Sequence, residues 1–224
     1  MKPFLTAAAI AFAATAATPA LAQDTASTVS AGVTAGTLGI GPEVALRVSP
    51  LLALRANATF FGISQSVDSD TITYDGDLKL SSVGAMVDVH PFKNGFRLSG
   101  GFRVNDNKVE LTATPDPAEV LRVGGTPYTA ADVGVLTGTV NVDEFVPTLT
   151  IGYGGGLTKG LKFGVDAGVL FQGSPRIRNL AASGPLASNS AFQDALAREE
   201  QSIEDDVSKY DIYPILQFSL RYGF

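Results

Sequence analysis

The sequence predicts an all-β fold, a closed antiparallel transmembrane β-barrel of about eight strands. Three observations predict it. Apolar and polar residues alternate with a period of two through segments as long as a barrel strand. The connections are either tight or long, which is typical of short periplasmic turns and long extracellular loops. The final segment alternates up to Phe224, an aromatic residue that suits a membrane interface and is hard to place in a soluble sheet.

Composition excludes several other classes of protein. The 224 residues are 45% hydrophobic and only 17% charged, which is typical of a folded chain. The sequence has no Cys, and His90 is its single His. Disulfide scaffolds, thiol nucleophiles and Cys-type zinc sites are therefore excluded, and a His-cluster metal site is very unfavourable. A net charge of −6 without a basic stretch argues against a nucleic-acid partner, and we expect no cofactor.

Residues 1–22 have the parts of a secretory signal peptide. Lys2 supplies the positive charge, residues 4–17 form an Ala-rich apolar run, and an A-x-A cleavage site ends at Ala22. The run is shorter than the roughly 18 residues that a membrane-spanning helix needs. We expect export, cleavage after Ala22, and a β-barrel of residues 23–224 in the cell outer membrane.

Seven strands follow directly from the alternation. They are 37–48, 52–66, 78–91, 96–113, 141–155, 161–173 and 210–224. An odd number conflicts with the even strand count of bacterial barrels. Because the apolar parity switches near Gly36, we predict an eighth strand over residues 27–35 and a turn over 36–41, which leaves the second strand short.

The connections define the two ends of the predicted barrel. Tight turns are expected at 49–50, 93–95 and 158–160, and long loops at 67–77, 114–140 and 174–209. The last loop contains one helical pattern, with Ser190 as its N-cap. Its 3.6-residue face consists of Phe192, Ala195, Leu196, Glu199, Ile203 and Val207. We interpret it as a helix that closes the rim, with a partner-binding helix as the alternative.

Charged side chains occupy the parity that faces the lumen. They are Glu43, Asp88 and Asp166, with Arg47, Arg55, Arg97, Arg103, Lys162 and Arg221. Eight strands leave little more than side-chain space, so these charges must pair or be hydrated. We predict a salt-bridge network that fills the barrel. The alternative is a constricted pore that favours anions through its surplus of cations.

Four aspartates crowd one long loop: Asp68, Asp70, Asp75 and Asp77. Their spacing lacks the order and the closing Glu of an EF-hand, so they are weak metal candidates and indicate a solvated acidic rim. Such loops could attach to anionic lipopolysaccharide only through bridging divalent cations.

Two other classes of protein remain as alternatives. A barrel enzyme would need partners for His90, which lies beside the tight turn at 93–95 and so at the periplasmic rim, where no Ser-His-Asp set can be assembled. The glycines at 154–156 run into a turn, not into the helix of a phosphate loop. We expect no catalytic residue. A soluble periplasmic binding module would keep polar residues at the outward positions.

Residues 213–224 resemble the C-terminal signal of outer-membrane barrels. The matching positions are Phe218, Leu220, Tyr222 and Phe224. The resemblance implies recognition by the barrel-assembly machinery. More broadly, the chain resembles the small barrels of the OmpA, OmpX and OmpW type, the likeness to OmpA being confined to its barrel. Residues 74–80, 105–109 and 171–175 resemble a group of proteobacterial outer-membrane proteins without an assigned role.

The functional expectation is a monomeric outer-membrane protein of a Gram-negative bacterium. Its expected role is structural or surface-interacting, in contact with outer-membrane lipid and lipopolysaccharide. A narrow porin-like channel for small solutes is the alternative, and an outer-membrane enzyme is a remote one.

Overall fold

A computed structural model describes residues 28–69, 71–154 and 159–224. The predicted signal peptide, Asp70 and part of the predicted turn at 158–160 lie outside these ranges. In chain order the strands and helices are β1 (Val29–Gly36), β2 (Gly39–Arg47), β3 (Leu52–Asp68), β4 (Ile72–Val89), β5 (Arg97–Asn105), β6 (Lys108–Pro115), β7 (Val120–Val123), β8 (Thr126–Thr129), α1 (Ala130–Val133), β9 (Leu136–Asn141), β10 (Phe145–Gly154), β11 (Gly160–Phe171), β12 (Arg176–Ala182), a 3-10 helix (Pro185–Ser188), α2 (Ser190–Val207) and β13 (Ile212–Gly223).

Eight of these strands close into an antiparallel ring. Their order is β1-β2-β3-β4-β5-β10-β11-β13, and β13 pairs back onto β1. The predicted closed antiparallel barrel is confirmed. The strand inferred over residues 27–35 is present as β1, and β2 is the short strand that follows it.

The turn between β1 and β2 is shorter than the sequence suggested. Gly36 pairs with Gly39 across Thr37 and Leu38. Gly39 has a φ of 98°, and a Cβ there would lie 2.7 Å from the Phe60 carbonyl oxygen, so glycine is needed at this position. Leu38 shares the even parity of the apolar residues of β2, which face outwards, but it is buried because the turn directs it into the barrel.

The ring is polar inside and apolar outside. Thr34, Thr59, Ser82, Ser99 and Gln217 are among the buried polar residues of its strands. The residues that alternate with them are exposed and apolar. They include Val33, Val44, Leu54, Val87, Phe102, Leu149, Phe163 and Phe218.

One predicted strand, 96–113, is in fact two strands, β5 and β6. The chain leaves the ring at Asp106 and Asn107, where the Asn107 side-chain oxygen accepts from the Ser81 amide at 2.9 Å. Below this point β4 pairs with β5, beginning at Ser82, and above it β4 pairs with β6, beginning at Lys79. β4 therefore pairs with a ring strand along one part of its length and with a strand beyond the ring along the other.

The predicted long loops form a second structural layer, which we call the external domain. It consists of residues 61–80, 106–144 and 172–211. β3 and β4 stay paired beyond the ring, and β6, β9 and β12 extend that pairing sideways. The long connections are present, but they contain strands that the alternation did not predict, because the projecting hairpin offers a free edge that recruits further strands.

α2 packs on the external domain. Phe192, Ala195 and Leu196 are buried against Val123 and Val133, which confirms the start of the predicted helical face. The cap was predicted one residue late: Asn189, not Ser190, accepts from the Phe192 amide at 3.2 Å. Among the described residues, no helix is long and apolar enough to cross a membrane.

Candidate functional site

The centre of the barrel is organised by Arg55 on β3. Its guanidinium lies 3.0 Å from Asp88 on β4, 3.0 Å from Asp166 on β11 and 3.5 Å from Glu43 on β2. It also donates to the Ser99 hydroxyl on β5 at 3.1 Å. All five side chains are buried. One cation on β3 therefore connects its own strand to four other strands of the eight-stranded ring.

Two further arginines complete the charge pairing. Arg97 on β5 binds Asp166 with two nitrogens, at 2.6 and 3.0 Å. Gly152 provides the space, since a Cβ there would overlap the Asp166 carboxylate. Arg221 on β13 lies 3.3 Å from Glu43. We call Arg55, Arg97, Arg221, Glu43, Asp88 and Asp166 the lumen network; its three cations balance its three anions.

Arg103 on β5 is buried but is held differently. It is 1% exposed, and its guanidinium donates to Asn57 at 2.7 Å, to Thr59 at 3.0 Å and to Ser82 at 2.8 Å. These acceptors are all neutral. Within the part of the chain that the structure describes, Arg103 forms no ion pair. It is the surplus buried cation of the lumen.

The two remaining cations of the predicted set are less buried. Arg47 and Lys162 are half-buried, near the end of β2 and the start of β11. Lys162 is opposite Arg221 in the strand register. The structure thus gathers six of the nine predicted lumen residues into one network and places Arg103, Arg47 and Lys162 around it.

An apolar layer covers one end of the network. Leu38, Val146, Leu170 and Ile215 form a buried cluster at the end of the ring nearest the external domain. Tyr213 packs on it and donates to the Thr37 carbonyl at 2.7 Å. Sequence reasoning missed this layer. The available signal was that the alternation breaks where two or more apolar residues are consecutive, at 145–146, 169–171 and 215–216.

A cavity beside the lumen network is small. It has a volume of about 20 Å³ and lies among Glu43, Arg55, Arg103, Asp166 and the apolar layer. A volume of this size accommodates about one water molecule. The side chains therefore fill this section of the lumen almost completely.

The acidic residues predicted in a loop lie mostly on strands. Asp68 ends β3 and accepts from the Thr73 hydroxyl at 2.9 Å, and Asp77 on β4 accepts from Ser64. Asp75 on β4 is exposed. Among the residues the structure describes, no three acidic or His side chains are placed to hold a metal ion.

His90 and Phe224, the last residue of the predicted assembly signal, lie at the opposite end of the ring from the external domain. His90 is buried directly after β4, and its amide donates to the Leu51 carbonyl at 2.8 Å. Phe218, Tyr222 and Phe224 are exposed on the outer face of the barrel, and Leu220 is half-buried.

The solved structures that are similar to this chain include two from Acinetobacter baumannii. The crystal structure of Acinetobacter baumannii CarO matches with 21% identity and a TM-score of 0.56, over 87% of this chain and 97% of that one. CarO2 of the same organism matches with 20% identity and a TM-score of 0.60, over 88% and 98%. The fold is that of CarO. The CarO likeness extends over nearly the full length of both chains, so it includes the external domain as well as the ring. No protein-family model and no curated protein matches.

Proposed function

We propose that this chain is a Gram-negative outer-membrane β-barrel with a closed lumen, which holds an interacting domain at the cell surface. The apolar outer face supports the membrane location. Phe163 is 74% exposed, and exposed aliphatic or aromatic side chains cover the other ring strands as well. Soluble monomers rarely expose a continuous apolar surface of this extent. This face also argues against the soluble binding module considered above.

Aromatic residues mark both edges of the apolar face. Phe145 and Tyr153 lie eight residues apart on β10, and Phe171 and Phe163 lie eight apart on β11. Eight residues span about 26 Å along a strand, or roughly 20 Å after tilting. This separation agrees with the aromatic girdles and the roughly 25 Å apolar band of outer-membrane barrels.

Orientation and biogenesis follow from the same proposal. The external domain faces outwards, and the connections at 48–51 and 90–96 face the periplasm. Residues 1–22 direct export and are removed after Ala22. The outer positions of β13, Phe218, Leu220, Tyr222 and Phe224, are presented to the barrel-assembly machinery. The protein is a monomer in contact with lipid and lipopolysaccharide, and it takes no cofactor, catalyses no reaction and binds no nucleic acid.

The lumen network is the observation that carries the structural role. Arg55 connects β2, β3, β4 and β11 through ion pairs at 3.0–3.5 Å, and the apolar layer lies over it. Ions would have to displace buried, paired charges to pass, at a cost of several kcal/mol per ion. The barrel therefore acts as a rigid anchor for the external domain.

Planar-bilayer recording of the refolded protein tests this proposal. We expect no discrete conductance steps, while heat-modifiable gel migration of the same sample shows that the barrel is folded. Regular steps from a folded sample would contradict the closed lumen.

A narrow anion channel is the second candidate, and Arg103 is the observation that favours it. Its buried charge has only neutral partners, so it could interact with a passing anion. This candidate predicts conductance steps in the wild type, with anion selectivity that Arg103→Gln removes. Arg176→Gln, in the external domain, is the matched control and should leave the steps unchanged.

A further inference from the structure

The external domain contains an apolar cavity that the lumen does not explain. It has a volume of about 240 Å³ and lies between α2 and one face of the sheet formed by β6, β9 and β12. Its walls include Leu111, Val140, Ile177, Leu196 and Ile203. Concave sites with mostly apolar walls and a few polar groups are typical of small-molecule binding.

A glycine in the middle of the sheet creates part of this space. Gly138 on β9 is opposite Leu111 on β6 and lines the cavity. A Cβ at 138 would meet only the ends of the Leu180 and Ile177 side chains, at 3.4 and 4.0 Å. The backbone would accept a side chain there. Glycine weakens a strand interior, and in such a position it often marks close approach of a ligand.

Polar contacts hold α2 at two points along the cavity. The Glu199 carboxylate accepts from the Gly124 amide at 2.8 Å, and the Glu204 carboxylate accepts from the Ile177 amide at 2.9 Å. The first half of α2 packs closely through Phe192. The second half is therefore tied to β12 and to the β7–β8 turn at fixed positions, and the cavity lies beneath it.

Arg122 gives the cavity a charged group. It lies on β7, is exposed, and lines the cavity, as Glu199 does. One oxygen of Glu199 accepts from the Gly124 amide, whereas Arg122 forms no ion pair or side-chain hydrogen bond among the described residues. A ligand with a negative head group and an apolar body would match both features.

We propose that this cavity binds a small amphipathic monocarboxylate of the fatty-acid class. The alkyl chain lies between α2 and Gly138, and the carboxylate pairs with Arg122. A cationic head group would be repelled by Arg122, which pairs with no carboxylate of the described residues, and a neutral one would leave Arg122 unused.

Binding of octanoate labelled with ¹³C at the carboxyl carbon tests the proposal by NMR, with the full chain in lipid nanodiscs. We expect a saturable bound signal in the wild type and none with Gly138→Val, which fills the cavity. Ala113→Leu, at another cavity-lining position, is the second filling variant, and circular dichroism and heat-modifiable migration establish that each variant is folded. Equal signals in the wild type and in a folded filling variant would show partition into lipid and overturn the proposal.

The carboxylate head group is tested with Arg122→Gln and with two analogues of octanoate, neutral 1-octanol and cationic octylamine. We expect Arg122→Gln to weaken octanoate binding about fivefold, as for an exposed ion pair, and to leave 1-octanol competition unchanged. Octylamine binding as tight as octanoate would overturn the carboxylate assignment. Native mass spectrometry distinguishes a free carboxylate from a membrane lipid as the ligand of the cavity. A lipid that stays bound to the wild type and is absent from Gly138→Val would replace the free carboxylate as the ligand. None of these readouts depends on conductance.

Discussion

Arg55 on β3 and Asp166 on β11 form an ion pair of 3.0 Å across the barrel. The two strands are four places apart in the ring of eight, so the pair joins opposite walls. Asp166 also binds Arg97 at 2.6 Å. One carboxylate thus holds two buried guanidinium groups, and this arrangement leads to the first prediction.

Asp166→Asn removes this shared negative charge with little change in shape. Two buried cations lose a counter-ion, so we expect the free energy of unfolding to fall by about 3–5 kcal/mol. Urea unfolding of the barrel in liposomes measures it. Asp143→Asn is the control, because its ion pair with Arg176 at 3.3 Å is largely exposed and is worth at most about 1 kcal/mol. A similar loss for both variants would contradict the assignment.

Replacement of Arg103 should cost less than replacement of Arg55. Arg103→Met leaves three neutral acceptors without a donor, at about 1–3 kcal/mol. Arg55→Met leaves three buried carboxylates short of a cation, at about 3–5 kcal/mol. The same urea titrations compare the two. An equal or larger loss from Arg103→Met would mean that Arg103 has a buried counter-ion.

Consecutive residues on β13 test the apolar layer. Ile215 is 4% exposed and faces the lumen, and Leu216 is 44% exposed and faces outwards. Ile215→Ala loses both packing and volume in a closed interior, so we expect a loss of about 2–5 kcal/mol. Leu216→Ala loses only the free energy of transferring the removed apolar atoms from water to lipid, because lipid chains fill the space left behind. The order of the two urea midpoints is decisive, and a larger effect at Leu216 would refute the layer.

Charge substitutions along β10 test the position of the bilayer. Leu149 lies midway between Phe145 and Tyr153 on the outer face. Leu149→Arg should lower the free energy of unfolding by about 2–4 kcal/mol. The charge introduced by Phe145→Arg should lower it by only about 0–1 kcal/mol, because Phe145 lies at the interface. Liposome unfolding measurements give both values. Equal charge costs at the two depths would contradict a midplane at Leu149.

Glu110 in the external domain should titrate below its ordinary range. The hydrogen bond from Lys79 lowers the pKa of Glu110, and a second one from Lys108 acts in the same direction. A carboxylate whose pKa is lowered on folding stabilises the folded state at pH values above its unfolded pKa of about 4.3. This contribution to stability is lost as the pH falls through the pKa of the folded state.

Carboxyl NMR of Glu110 measures this titration. We expect Lys79→Met to raise the midpoint towards the ordinary value, and Lys93→Met, at the other end of the barrel, to leave it unchanged. A midpoint that is insensitive to Lys79 would show that this contact does not persist in solution.

The period-two alternation predicted most of the ring because it is a local property. Neighbouring side chains of a strand point to opposite faces, so apolar residues such as Val44 and Leu149 identify the outer face from sequence alone. The parity switch at Gly36 was sufficient to find β1. The same reasoning placed Arg55, Arg97, Arg221 and the three carboxylates in the lumen.

Alternation could not predict which strands pair beyond the ring. β4 changes its partner from β5 to β6 between Ser82 and Lys79. The two parts of β4 have the same period of two, so the alternation does not reveal the change. The external sheet and the cavity beside Gly138 depend on that change. For the same reason, the sequence indicated long loops where β9 and β12 form.

The sequence by itself determined the barrel, its inward charges and the helical pattern of α2, since each depends on the spacing of neighbouring residues. Only the tertiary structure decided that Arg55 has three carboxylate partners, that Arg103 has none among the described residues, and that Leu38 is buried. Those outcomes depend on which residues of distant strands lie at the same level along the barrel axis. This level is set by strand register and ring closure, which are non-local and are not encoded in the period of any one strand.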